Sequence, residues 1–214
     1  MGIYIEALIL YILLFFSGSA AFFAGMTTAA EFSAIGGLVN IFMYFIPALA
    51  LIWYLIFKSQ KPDIRIFKPG KKDLAALVIT LPCILITGFA VTFLSSYLSG
   101  AGAQTTLHSP ATVPGWIVLC IICFFSAYLE ESFFRYYLLS KRKEMRLNSA
   151  SALTLSVTLF AVCHLYGGLW SFINAAISGT FLGLIFLRYN SIHGLAIAHA
   201  LYNISAFVYN ALIN

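Results

Sequence analysis

Charge is what this chain has least of. Only 9% of its 214 residues are charged, against roughly 25% in an ordinary soluble domain, while 62% are hydrophobic. That shortage excludes a soluble globule and leaves no polar stretch from which a second, water-exposed core could be built. A single membrane domain over 1–214 with short loops is expected. The net charge of +5 would suit nucleic acid if it formed a soluble basic face, but Lys and Arg cluster between apolar runs, where they set orientation instead. No nucleic-acid partner is expected. A positive segment ahead of the first apolar run is missing, which argues against a cleaved signal peptide. The four cysteines, Cys83, Cys120, Cys123 and Cys163, lie inside apolar runs, where a thiol behaves as a small hydrophobe. The Cys120-x-x-Cys123 pair lacks the loop or second pair that a zinc or redox site needs. An H-E-x-x-H motif is absent, and so is any internal repeat.

What is present is a series of apolar runs, at about 3–25, 37–57, 74–98, 116–139, 149–166, 168–187 and 194–213. Each approaches the length that crosses a bilayer. They predict an all-α polytopic membrane bundle of about seven transmembrane helices, with internal prolines at Pro47 and Pro82. Basic clusters at 58–72 and 141–146, together with Arg188, fall on one face if the spans alternate, and Arg135 sits near that face. The positive-inside rule then makes this face and the amino terminus cytoplasmic and puts the carboxyl terminus outside. A short chain of this kind fits a prokaryotic cell membrane.

The exception to the apolar pattern is Glu130-Glu131-x-x-x-Arg135, inside the fourth run. An ionisable residue in a span costs a few kcal/mol or more and reads as a functional site. Glu131 and Arg135 are four apart and share a helix face, whereas Glu130 points about 100° away. Glu131 is therefore available as the partner of Arg135, and Glu130 as a general base. A buried ion pair with one spare, solvated acid is the plainer alternative. The fifth run ends in Phe160-x-x-x-His164, and the last carries His199-x-x-x-Asn203. The latter pair stacks on one face, as side chains lining a bundle interior do, or as interhelical hydrogen-bonding groups do. The inventory suits a hydrolytic site: a glutamate and a histidine hold and deprotonate water, and a second histidine with an amide stabilises an oxyanion. No spacing marks Ser126, Ser132 or Cys163 as an activated nucleophile, so each is assigned to packing. Gly179-x-x-x-Gly183 in the sixth run predicts close helix packing within the chain, with homodimerisation as the alternative; a monomer is favoured.

These three motifs, in this order over 116–214, resemble the CAAX protease and bacteriocin-processing (Abi) family of intramembrane endopeptidases, related to the Ras-converting CAAX endopeptidase. The first three spans, 1–115, match no such motif. The resemblance implies hydrolysis of a peptide bond in a membrane-associated or lipidated substrate. It implies Glu130 as the base acting on water with His164, Glu131 and Arg135 as organisers of the site, and His199 with Asn203 as oxyanion donors. Members have been described both as glutamate proteases and as metalloproteases. Zinc on Glu130, His164 and His199 is thus one option and a site that requires no cofactor the preferred one. Members often carry an apolar or aromatic residue where this chain has His193, so no role is implied for it and it is expected in a loop at the membrane surface. The rival readings are a small proton-coupled transporter, with the same residues as a relay, and a noncatalytic immunity or scaffold protein.

Overall fold

The structure, a computed structural model, describes residues 2–23, 32–60, 68–99 and 109–213. The link around Glu31, the middle of the first basic loop and the loop containing His108 lie outside the described residues. Seven helices follow one another, and no strand occurs among the described residues. They are α1 (Ile3–Phe23), α2 (34–60), α3 (Lys71–Ser99), α4 (113–140), α5 (Ser149–Val162), α6 (Gly168–Tyr189) and α7 (Ile192–Ile213). An apolar chain in lipid has no water to satisfy its amides, so helices, which satisfy them internally, are the expected solution.

Local chemistry sets the helix ends. Thr112 caps α4 by accepting from the Gly115 amide at 3.3 Å, with Pro114 in the first turn, and Asn148 caps α5 through Ser151 N at 2.8 Å. Within α2 a wide i→i+5 turn over Ile41–Phe45 directly precedes Pro47, whose missing amide removes a rung of the ladder. A second such turn, Glu131–Tyr137, interrupts α4 at the acidic pair. Helical backbone then continues through Ser140 and, as a tight turn, to Lys143.

Among the described residues five helical segments are long and apolar enough to cross a membrane: Ala34–Lys58, Lys71–Leu98, Val113–Lys143, Leu165–Tyr189 and Ile192–Leu212. The helix Ser149–Val162 is shorter. At 1.5 Å per residue it covers about 21 Å of a hydrocarbon core roughly 30 Å thick. The chain is an integral membrane protein of all-α architecture.

Two compact units share the chain. The first is formed by 1–28, 83–105 and 134–188. Phe134 anchors it, with ring centroids 4.8 Å from Phe15 and 5.2 Å from Phe160. Tyr11 donates to the Leu159 carbonyl at 3.1 Å, Tyr4 donates to the Met145 carbonyl, and Glu6 accepts from Tyr137 and from Lys141 Nζ at 3.1 Å. The start of α1 is thereby tied to the end of α4. Gly179 and Gly183 are buried against α5: a Cβ at Gly179 would lie 2.8 Å from Phe160 Cδ1, and one at Gly183 would collide with Leu153 Cδ1. The glycine pair serves helix packing inside the chain.

The second unit comprises 29–82, 106–133 and 189–214. Here α4 and α7 run antiparallel. Ser109 donates to the Phe207 carbonyl at 3.0 Å near one end, and Tyr128 meets His193 Nδ1 at 2.9 Å towards the other. The start of α7 is fixed by Asp73, which accepts from Ser191 Oγ at 2.6 Å while Ser191 Oγ accepts from the Gly194 amide at 3.1 Å. Gly194 lies so close to α3 that a methyl there would strike the Asp73 backbone carbonyl, an atom that cannot rotate away. Gly194→Ala is accordingly expected to cost about 1–3 kcal/mol, read as a lowered unfolding midpoint in detergent.

Candidate functional site

Three of the sequence-predicted residues meet in the second unit. His199, on α7 and 5% exposed, shares a hydrogen bond between Nδ1 and Glu131 Oε1 at 3.0 Å. Its other nitrogen, Nε2, lies 3.7 Å from Glu130 Oε2. The imidazole therefore stands between the two carboxylates of α4. Glu131 is fully buried; an ionised carboxylate can only accept, so such a pairing calls for the proton on Nδ1. Glu130 is held differently: Ser126, one turn earlier, donates to Oε1 at 2.8 Å, and buried Oε2 has no hydrogen-bond partner among the described residues. The two acids are distinguished by their partners, as their angular separation on a helix requires. Asn203 lies one turn beyond His199 on α7, half-buried.

Arg135 and His164 belong to the first unit. Arg135 is 1% exposed; its guanidinium stacks 4.3 Å from the centroid of the Phe160 ring and donates from Nη2 to the Gly179 carbonyl at 3.4 Å. His164 follows the last turn of α5, its ring 4.6 Å from the same Phe160 ring. Its Nδ1 donates to the Phe160 carbonyl at 2.7 Å. A carbonyl can only accept, so this bond puts the proton on Nδ1 and, in the neutral ring, the lone pair on Nε2. Phe160 is thus the common platform of Arg135 and His164. The chain then turns through Leu165–Gly167 and Gly168, whose φ of +82° is open to glycine.

Two sequence expectations are corrected. Ser126, assigned to packing, holds Glu130; the signal was available in its i,i+4 spacing to a carboxylate. His193, expected in a surface loop, is in the first turn of α7. The link from α6 takes only Asn190, with φ of 49°, and Ser191, so the helix begins earlier than the composition suggests.

No group of three or more His, Cys, Asp and Glu residues that could hold a metal ion occurs among the described residues.

An integral membrane protein with two carboxylates and an imidazole clustered on its apolar helices is built for chemistry at the bilayer. Residues 112–205, the stretch that contains all three motifs, match the family model of type II CAAX prenyl endopeptidases, Rce1-like. That match supports the general class of a CAAX-type protease acting on a peptide or protein substrate in a lipid bilayer. Comparison with curated proteins and with solved structures gives no match.

Proposed function

We propose that the protein hydrolyses a peptide bond of a lipid-anchored substrate with a water molecule activated by Glu130. The observation that carries this reading is the state of that carboxylate: Oε1 is committed to Ser126, and Oε2 is buried, without a hydrogen-bond partner among the described residues, and 3.7 Å from His199 Nε2. A buried acceptor without a donor costs about 1–3 kcal/mol, and a bound water supplies the donor. In this reading water donates one hydrogen to Oε2 and its oxygen attacks the scissile carbonyl. Glu130 takes the proton and returns it to the departing amine. Glu131 orients His199 through Nδ1, so that a cationic ring presents Nε2–H to the developing oxyanion, and Asn203, one turn on, adds an amide donor. For His164 and Arg135 the support is the motif alone, with Nε2 of His164 the nitrogen that would act on water.

Each residue has a role without a metal, and a chelator added to the cleavage assay is expected to leave the rate unchanged. The family's description names a prenylated CAAX sequence, which stands at a protein's carboxyl terminus, and supports a lipidated peptide as the substrate class. The basic ends of the helices support a cytoplasmic side for 141–146. The test is cleavage of a quenched lipidated peptide by purified protein. Proton-coupled flux in proteoliposomes without cleavage would favour the transporter reading instead. Ser126→Ala is expected to lower kcat about fivefold with little change in KM, because Oε1 loses one hydrogen bond worth about 1 kcal/mol.

A further inference from the structure

The three motifs all lie within residues 112–205, yet the helix that carries His199 and Asn203 starts against a residue far outside that stretch. Asp73, in the first turn of α3, accepts from Ser191 Oγ at 2.6 Å through Oδ1 and from the Gly70 amide at 2.8 Å through Oδ2. The second bond closes the start of α3, a first-turn acid reaching back to the amide just ahead of its helix. The first sets Ser191, which is 3% exposed and immediately precedes α7. With its hydroxyl hydrogen given to Asp73, Ser191 Oγ keeps its lone pairs for the Gly194 amide, 3.1 Å away, as a helix cap does. One carboxylate thus closes the first turns of two helices.

This corner is tightly built. The link from α6 is only Asn190 and Ser191, and Asn190 already has a φ of 49°. Gly194 approaches α3 so closely that an added Cβ would strike the Asp73 carbonyl and lie 2.9 Å from Ala76 Cβ. Ser191 therefore couples the rotation of α7 about its axis to α3. His199 stands eight residues further on, about 12 Å along the axis. Its ring has to meet two carboxylates, with Nδ1 3.0 Å from Glu131 Oε1 and Nε2 3.7 Å from Glu130 Oε2. Side-chain tips stand about 5–6 Å from a helix axis, so a turn of α7 by about 10° moves the ring by about 1 Å. A misplacement of that size costs a catalytic site up to about a hundredfold in rate.

We propose that Asp73 is a positioning residue for the hydrolysis: acting through Ser191, it holds α7 in the rotation that sets the His199 imidazole between Glu130 and Glu131. The inference rests on the endopeptidase reading for its effect on rate. Asp73 has no contact with the reacting atoms in this scheme, and α3, which carries none of the three motifs, supports the site through it.

The experiment measures kcat, KM and the unfolding midpoint in detergent for Asp73→Ala, Ser191→Ala, the double variant and Asp73→Asn, with the quenched lipidated peptide as substrate. Asp73→Ala and Ser191→Ala are each expected to lower kcat about tenfold with KM little changed. The double variant loses no more than either alone, because both act through one hydrogen bond. Asp73→Asn keeps an oxygen for Ser191 and recovers most of the rate. Ser33→Ala removes the same kind of cap from α2, where Ser33 Oγ accepts from the Gly36 amide at 3.2 Å, and keeps the wild-type kcat. Wild-type kcat in Asp73→Ala, or a double variant whose loss is the product of the two single losses, overturns the proposal. If Asp73→Ala fails to fold, wild-type kcat in Ser191→Ala overturns it equally. Imidazole-nitrogen NMR separates this inference from the reading it rests on. The His199 signals, assigned by their loss in His199→Gln, are expected to shift in Asp73→Ala and Ser191→Ala and to stay in place in Ser33→Ala, whether or not any peptide is cleaved. That shift, with no cleavage by wild type, would retain Asp73 as the residue that places His199 and remove the endopeptidase. Cleavage by wild type with the His199 signals unmoved in both variants would do the reverse.

Discussion

Glu130→Gln is expected to lower kcat for peptide cleavage by roughly 10²–10⁴-fold, the range that general-base catalysis supplies, with KM nearly unchanged. Glutamine has the volume of glutamate and keeps an acceptor for Ser126, which now donates to Glu130 Oε1 at 2.8 Å, so the local fold is retained. What it removes is the proton acceptor. Because Oε2 has no hydrogen-bond partner among the described residues, the substitution breaks no hydrogen bond there, and the unfolding midpoint in detergent should stay close to wild type. Glu130→Ala loses the Ser126 contact as well and is expected to be equally inactive and somewhat less stable. Undiminished cleavage by Glu130→Gln would sink the mechanism while leaving the family match of residues 112–205 intact.

Much of this was legible because membrane sequences are written in a small vocabulary. Apolar runs long enough to cross a bilayer are solved by helices, so the all-α membrane architecture could be read directly and the helix count approximately. Lengths were less legible: the run at 149–166 contains α5, which ends at Val162 because His164 bonds back to the Phe160 carbonyl and Leu165–Gly167 turns. Hydropathy reports composition and is blind to such a stop. The acidic pair stood out because charge inside an apolar run is costly, and helical spacing was enough to assign Glu130 and Glu131 different partners. It was not enough to name them. Spacing pointed Glu131 at Arg135 on its own helix and gave no hint of the His199 imidazole from α7, a long-range contact that no local pattern encodes. Phe160 is a similar case: an aromatic residue in an apolar helix is unremarkable until Arg135 and His164 are found on its ring.

The Glu131–His199 contact separates structural from chemical contributions through two substitutions. Glu131→Ala removes the acceptor of a buried imidazole donor from a site that is fully closed to solvent. Breaking a buried pair from one side costs about 3–5 kcal/mol, so this variant is expected to unfold at a clearly lower temperature in detergent as well as to lose activity. Glu131→Gln retains an oxygen for Nδ1–H and nearly the same volume, so most of the stability should survive. Its kcat is nevertheless expected to fall roughly 10²-fold, for two reasons. A neutral amide no longer favours the cationic ring that donates from Nε2 to an oxyanion. An amide can also present its NH₂ group to Nδ1, which selects the tautomer with the proton on Nε2 and disturbs the geometry opposite Glu130. Thermal unfolding and single-turnover cleavage of the same two preparations read the two effects apart. If Glu131→Gln kept full activity, Glu131 would be no more than a packing partner for α7, and the orientation of His199 would have to come from elsewhere on that helix.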